Sequence, residues 1–410
     1  MLSLVRLAWR SLWRNTRRTF ITVFAITFAL ALAVFFVAFA EGVYADLINQ
    51  AVRLNAGHVT LQHPDYLAAP AIDLRVAEVS SWRQRIESLA GIERTKALVL
   101  GQGVAQSSYG AVGVALVGIE PQIEILTSPL ARNVVQGHYL TADDPRGALI
   151  GRGLARRLKI QLGDKLVLTS NDVHGEIVGH MVRVTGIFAT GADEIDGYLV
   201  QVPIDFARQL FSLGGDEATQ IGVILTDADD QPDAVDALRA MVRNAPVVVL
   251  PWQEVLPEVA AYIRVDSGSN WVMQALLIFL SLFTIFNTIL MSVLERTREF
   301  AMLIAIGTHP RRLRAQVILE STFLGVLGTL VGLAVGGLAG YYLEVYGFDF
   351  ASMSDSGITV SGLALSTRLY ARVTPGLLVG LGLTMLTATV LSGMLAVRRI
   401  ARLSIATVLR

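Results

Sequence analysis

Four stretches of the sequence contain no Asp, Glu, Lys or Arg and are long enough to cross a bilayer: residues 19–40, 267–294, 321–343 and 373–397. A hydrocarbon core of roughly 30 Å requires about 20 apolar residues in a helix. The 410-residue chain is 53% hydrophobic and only 17% charged, which is unusual for a soluble protein. The sequence therefore predicts four transmembrane helices. For the first stretch a cleavable signal peptide is the alternative, although its length exceeds the usual h-region of about 7–15 residues.

Arginine counts predict the orientation of these helices. Segments 1–18, 295–320 and 398–410 together hold 14 basic and 3 acidic residues, whereas segment 344–372 holds 2 basic and 3 acidic residues. Cytoplasmic loops carry the excess of Lys and Arg. Both termini and the 295–320 loop are therefore expected in the cytoplasm, and 41–266 and 344–372 outside.

The basic segment at the start of the sequence has a more specific pattern. In residues 1–18, Trp9 and Trp13 alternate with arginines at helical spacing, which predicts an amphipathic helix in the headgroup plane. The alternative is a simple basic flank.

Residues 55–250 contain eight short β-type runs separated by Gly and Asp turns, with three helical patterns, which predicts an α+β domain.

The predicted fold class is an α-helical membrane protein with four transmembrane helices and a large α+β extracytoplasmic domain on a helical stalk. The stalk is favoured because residues 44–54 lack Pro and Gly and 258–267 lack Pro; flexible linkers are the alternative. The predicted segments are the interfacial helix 1–18, transmembrane helices 19–43, 267–294, 318–343 and 373–397, the domain with its stalk 44–266, the cytoplasmic loop 295–317, the outer loop 344–372 and the cytoplasmic tail 398–410.

The sequence contains no familiar catalytic, cofactor-binding or metal-ligand motif. None of its three lysines follows a glycine, so it has no Walker A motif, and its histidines, expected at the surface or in loops, form no metal-ligand spacing. It has no cysteine, which excludes disulfides and thiolate chemistry. Because the net charge is zero, no nucleic-acid partner is expected. Asn287 is the strongest lone polar group of the spans, and a hydrogen bond to another helix is favoured over substrate binding.

Glycines in the third span recur at intervals of four residues, at Gly328, Gly332, Gly336 and Gly340. On a helix this spacing forms one smooth face that allows close approach of another helix. We expect helix packing there, the alternative being that glycine is simply common in such helices.

The loop between the second and third spans carries the family resemblance. It reads ERTREFAMLIAIG over residues 295–307, and Glu320 and Gly325 follow in the third span. This pattern, with one span before a large domain and three after it, resembles the permeases of the MacB, FtsX and lipoprotein-releasing class of ABC transporters. Within the domain, the segments closest to the lipoprotein-releasing (LolC/LolE-like) branch are 114–121, 149–158 with 163–165, and 185–198.

The resemblance implies a bacterial inner-membrane protein with a MacB-like periplasmic core domain. It also implies a partner ATPase dimer that binds ATP, a second permease protomer in a homo- or heterodimer, and mechanotransmission without catalysis in this chain. The loop would couple to the ATPase through a set of charged residues, apolar anchors and a glycine: Glu295, Arg296, Arg298, Glu299, Phe300, Met302, Leu303 and Gly307.

The implied function is lipoprotein release from the inner membrane, with the substrate residues unknown. A periplasmic carrier is a further expected partner, but residues 170–180 lack the proline-containing hook loop of one subunit type of that branch. The alternatives are a MacB-like permease for efflux or peptide export, acting with a membrane-fusion protein, and an FtsX-like signal transducer that controls a cell-wall hydrolase.

The predicted orientation can be tested with single cysteines, since the chain has none. Ser108→Cys should react with an impermeant maleimide added outside, and Thr308→Cys should react only after permeabilisation. Labelling of Thr308→Cys alone in intact cells would contradict the orientation.

Overall fold

A computed structural model describes residues 2–243, 245–349, 359–360, 363–364 and 368–400. The chain forms two compact units. We call Met1–Tyr44, Arg264–Asp349 and Arg368–Arg410 the membrane unit, and Ala45–Ile263 with Phe350–Thr367 the sheet unit. Residues 401–410 of the predicted tail, and 350–358, 361–362 and 365–367 of the predicted outer loop, lie outside the described residues.

Thirteen α-helices are found in the described part of the chain, together with short 3-10 turns at Pro129–Arg132 and Ala228–Asp230. The helices are α1 Leu2–Arg14, α2 Thr16–Leu54, α3 Val79–Glu87, α4 Pro121–Thr127, α5 Arg152–Leu158, α6 Asp193–Asp196, α7 Ile204–Leu210, α8 Gln231–Met241, α9 Trp252–Val255, α10 Pro257–Glu295, α11 Thr297–Ala305, α12 Pro310–Tyr346 and α13 Pro375–Ile400.

Four of these helices are long and apolar enough to cross a membrane: α2, α10, α12 and α13. Helices α2 and α10 have 39 residues each, and each is about 58 Å long at 1.5 Å per residue. The segments 44–54 and 258–267, for which the sequence left a stalk or linkers open, are helical throughout. Gly268, which follows the second of these segments, also lies inside α10.

The membrane unit has one apolar core to which all four of these helices contribute. Ile26 and Leu30 of α2, Ile285 of α10, Val317 of α12 and Met385 of α13 belong to the same buried cluster. The residues that remain exposed on the four helices are mostly large and apolar, as expected where lipid or another helix replaces water.

The glycine face of α12 packs against α2. A Cβ atom on Gly328 would lie 2.6 Å from the Ile26 side chain, and one on Gly336 would lie 2.9 Å from the Ala31 Cα atom. A Cβ on Gly332 would meet Leu30 at 3.0 Å, and one on Gly340 would meet Ala38 of α2 at 3.6 Å and Val373, which precedes α13, at 2.8 Å. The absence of side chains therefore permits the close approach of the two helices.

Ten strands form the sheet unit's main sheet: β1 Val59–Gln62, β2 Ile92–Gln106, β3 Ala111–Ile119, β4 Val134–Gly137, β5 Gly147–Gly151, β6 Lys165–Asn171, β7 Ile177–Phe188, β8 Leu199–Pro203, β9 Gln220–Leu225 and β10 Val248–Pro251. Two short antiparallel pairs follow, β11 Phe348–Asp349 with β14 Arg368–Leu369, and β12 Thr359–Val360 with β13 Leu363–Ala364.

The long strand β2 joins two layers of the sheet unit. Its first half pairs with β9, which continues to β1 and β10, all antiparallel. Its second half pairs with both β3 and β6, and the pairings run on through β8, β5 and β7 back to β6, closing a six-stranded ring. Helices α3, α7 and α8 add buried apolar residues to the core of this unit.

The histidines were expected at the surface or in loops, and His58 lies in the bend that precedes β1. It is nevertheless buried, and its Nδ1 accepts a hydrogen bond from the Leu225 amide at 3.2 Å. Burial lowers the pKa of this imidazole, which is therefore neutral at pH 7.

The packing of α12 on α2 predicts different effects at two adjacent glycines. Gly336→Val should destabilise the chain by about 1–3 kcal/mol, the usual cost of overpacking. Gly337→Val should cost much less, since a Cβ there meets only the Leu378 side chain at 3.9 Å. Unfolding in a sodium dodecyl sulfate titration measures both, and equal losses would contradict the close approach at Gly336.

Candidate functional site

The predicted coupling loop consists of the end of α10, the short helix α11 and the start of α12. Helix α11 has two distinct faces. Phe300 is 3% exposed and belongs to the membrane unit's core, whereas Met302, Leu303 and Ile306 are 53%, 41% and 84% exposed. We call these three exposed residues the α11 apolar patch. The sequence missed Ile306, although its spacing from Met302 and Leu303 places it on their side of the helix.

Gly307 sets the turn between α11 and α12. Its φ of +101° is a conformation that residues with a Cβ rarely adopt. The Gly307 and Thr308 amides donate to carbonyls of α11 at 3.0 and 2.9 Å. His309 then accepts a hydrogen bond from the Arg311 amide at 3.2 Å and caps α12, whose first residue is Pro310.

Arg296 lies at the junction between α10 and α11 and is mostly buried. From there its side chain contacts three helices. Its guanidinium donates to Glu320 of α12 at 3.0 Å, to Ser11 of α1 at 2.9 Å and to Glu299 of α11 at 3.2 Å. The side chains of Arg296 and Glu320 are only 13% and 11% exposed. The same guanidinium lies 5.2 Å from the centre of the Phe300 ring. Arg296 therefore fixes the direction of α11 relative to α1 and α12.

Two more ion pairs tie the loop to the beginning of the chain. Arg14 contacts Glu299 at 3.2 Å, and Arg18 contacts Glu295 at 3.0 Å. Hydrogen bonds from Arg14 and Arg296 lower the pKa of the Glu299 carboxyl, which stays ionised well below neutral pH. Because the Arg14–Glu299 pair is solvent-exposed, its contribution to stability is small. Of the predicted charged coupling residues, only Arg298 is exposed without an ion-pair partner among the described residues.

Helices α2 and α10 are also joined at the opposite end of the membrane unit. The Tyr44 hydroxyl donates to Asp266 at 2.5 Å, and the Asn270 amide donates to the Tyr44 oxygen at 2.8 Å. This cluster was not predictable from the sequence, because Tyr44 is more than 200 residues from both Asp266 and Asn270. The two long helices are therefore connected by Arg18–Glu295 at one end and by Tyr44, Asp266 and Asn270 at the other.

A buried lysine holds the end of α2 within the sheet unit. Lys96 of β2 donates to the Arg53 carbonyl at 2.7 Å and to Glu124 of α4 at 2.8 Å. Both charged side chains are almost fully buried, which requires pairing. The last carbonyls of a helix lack partners within the helix, and Lys96 supplies one. Nearby, Leu47 and Ala51 of α2 share a buried cluster with Trp252 and Val259.

No group of three or more His, Asp or Glu side chains in the described ranges is placed to hold a metal ion. The contacts around α11 combine a fixed orientation with an exposed apolar surface. That arrangement can bind a protein groove and transmit a displacement, and it contains no nucleophile or general base at the α11 apolar patch.

Comparison with known proteins identifies two regions of the chain. Residues 19–241 match the model of the MacB-like periplasmic core domain, and residues 271–405 match the FtsX-like permease C-terminal model. The lipoprotein-releasing system transmembrane protein LolC of Xylella fastidiosa is 24% identical over 233 residues, 55% of this chain and 56% of that protein. This chain therefore spans little more than half the length of that relative.

Two further similarities concern MacB proteins. The macrolide export ATP-binding/permease protein MacB of Bdellovibrio bacteriovorus is 22% identical over 313 residues, 72% of this chain and 46% of that protein. The crystal structure of the periplasmic region of MacB from Actinobacillus actinomycetemcomitans has a TM-score of 0.36 at 13% identity, covering 48% of this chain and 90% of that one.

Because Arg296 is mostly buried and Arg298 is exposed, replacing these two arginines should change the free energy of unfolding by different amounts. Arg296→Met should lower the free energy of unfolding by about 3 kcal/mol, because Glu320 would stay buried without its partner. Arg298→Met, at an exposed position, should change it by about 0.5 kcal/mol or less. Unfolding in sodium dodecyl sulfate compares the two. Adding Glu320→Gln to Arg296→Met should recover part of the loss, and equal stability of the two single variants would contradict this role for Arg296.

Proposed function

The chain belongs to the MacB, FtsX and lipoprotein-releasing family of ABC transporter permeases, and we propose that it acts as the permease subunit of such a complex. The match confirms the resemblance to this family that the loop and the domain motifs indicated. The proposed complex contains an ATPase dimer as a separate subunit and a second permease protomer. The proposed location is the bacterial inner membrane, with four spans and both termini in the cytoplasm.

The α11 apolar patch is the observation that supports the docking of an ATPase. Its three apolar side chains are exposed on a short helix whose direction is fixed by the Arg296 contacts. A groove in the ATPase could cover Met302, Leu303 and Ile306, while Arg298 remains available for an acidic partner. Phe300, predicted as an anchor, instead packs within this chain and would act by supporting α11.

The proposed mechanism transmits movement mechanically. Helices α2 and α10 extend well beyond the uncharged stretches 19–40 and 267–294. Because the two helices are joined near both ends of their spans, a displacement at α11 would move them together. In the sheet unit, Lys96 and the Trp252 cluster would pass this displacement from α2 and α10 to the sheet.

Lipoprotein release from the inner membrane is the transport function we favour. It is supported by similarity to LolC and by the domain segments named above. Residues 172–176 form only a tight turn between β6 and β7, in which Asp172 accepts from the His174 and Glu176 amides at 2.9 Å. We therefore assign carrier recruitment to the second protomer. The second candidate is MacB-like export, favoured by the match to a MacB protein over 72% of this chain.

Docking at the α11 apolar patch can be tested by co-purification in detergent. Met302→Ala combined with Leu303→Ala should weaken association with the ABC ATPase that co-purifies with the wild type by about tenfold or more. Truncation of buried interface anchors costs about 2 kcal/mol or more, and about 1.4 kcal/mol corresponds to tenfold.

The matched control removes two exposed apolar side chains of β7, Ile177→Ala with Met181→Ala, and should leave association unchanged. Wild-type recovery of the ATPase by the α11 variant would exclude the patch as the docking site. Failure of the wild-type chain to recover any ABC ATPase would overturn the proposed function itself.

A further inference from the structure

Asn287 of α10 is a polar residue that neither the core nor the proposed mechanism uses. It is exposed on an uncharged span, two turns before Glu295. Its side chain has no hydrogen-bond partner among the described residues, so the bond across helices predicted from the sequence is not made within this chain. An amide facing hydrocarbon without a partner is unfavourable. A ligand or another molecule is therefore expected to satisfy it.

Asn287 lines a groove of about 530 Å³ between α10 and the first turns of α2. Each helix contributes a polar and an apolar residue to the groove: Arg17 and Ile21 from α2, and Asn287 and Met291 from α10. The groove can therefore both form hydrogen bonds and contact hydrocarbon. This composition fits an amphiphile.

The net charge of the groove favours an anionic ligand. Arg18 and Glu295 also line it, but they pair with each other at 3.0 Å. Arg17 is exposed and has no ion-pair partner in the described part of the chain, so the groove retains one positive charge. A guanidinium binds phosphate through two parallel hydrogen bonds, and the Asn287 amide adds another donor.

We propose that this groove binds the headgroup of an anionic glycerophospholipid in the leaflet that faces the α11 loop. The end of the groove that holds Arg17 lies where the uncharged stretch 19–40 meets the arginine-rich leader, which is the depth at which lipid phosphates occur, and Asn287 lies about two helical turns deeper than Glu295. The exposed indoles Trp9 and Trp13 on α1 are typical of the same interfacial layer. The proposal requires that α2 and α10 span the bilayer and is independent of the ATPase.

A second copy of this chain fits the groove less well. A twofold contact centred here would place one Arg17 against the other, and Glu295 is already paired within its own chain. A free phosphate would satisfy Arg17 but would leave Ile21 and Met291 without an apolar partner. A lipid satisfies both the polar and the apolar residues of the groove.

The test uses the full-length chain in detergent, with lipid binding counted by native mass spectrometry. The wild type should retain one phosphatidylglycerol per protomer and bind phosphatidylcholine more weakly. Arg17→Gln and Asn287→Leu should each weaken phosphatidylglycerol binding about tenfold or more, as expected for the loss of a charge-assisted or buried hydrogen bond. Arg6→Gln removes an exposed arginine of α1 that does not line the groove and should change binding less than twofold.

Three results would overturn the proposal. Unchanged phosphatidylglycerol binding in both groove variants would exclude a headgroup site. Complete displacement of the lipid by millimolar inorganic phosphate would identify a site for free anions. Conversion of a dimer to a monomer by Asn287→Leu, with lipid binding intact, would show that a second copy covers the groove. Since Arg17 and Asn287 are exposed, both variants should unfold like the wild type in sodium dodecyl sulfate.

Discussion

The contact between Arg296 and Glu320 determines how the loop ends of the spans are arranged. A carboxylate and a guanidinium that are mostly removed from water must be paired, and here a single guanidinium serves α12, α11 and α1. The Phe300 ring packs beside the same group and continues into the apolar core of the membrane unit. The direction of α11, and with it the exposure of Met302 and Ile306, follows from these contacts.

The long helices α2 and α10 depend on a different constraint. Within hydrocarbon every backbone polar group must be satisfied inside the helix, so a break in either span would be costly. Both helices continue beyond the apolar stretch, and side-chain contacts join them at Arg18–Glu295 and at Tyr44–Asp266. Two continuous rods joined in this way resist bending independently, which is the property that the proposed mechanical transmission needs.

The sequence predicted those features whose signals are local. Hydropathy located the four apolar helices, glycine spacing identified the face of α12 that meets α2, and eight β-type runs correspond to eight of the ten strands of the main sheet. Strands β4 and β5 were missed because they are short and contain glycine, so they lack an alternating pattern. The contacts of Lys96, Tyr44 and Arg296 were not predictable, because each joins residues that are distant in sequence.

The arginines that produce the positive-inside pattern fall into two groups, those that pair with acids of this chain and those that do not. All three acids of the 295–320 segment are paired with Arg14, Arg18 or Arg296, so those arginines serve the structure. Charge counting alone treats them like Arg17 and Arg298, which have no internal partner in the described ranges. The positive charge that remains for external partners comes from the other arginines of these segments, two of which lie at the surfaces proposed above. Arg17 faces the groove beside Asn287, and Arg298 lies on the helix that carries the α11 apolar patch, so lipid and protein partners can be recognised by different residues of one basic surface.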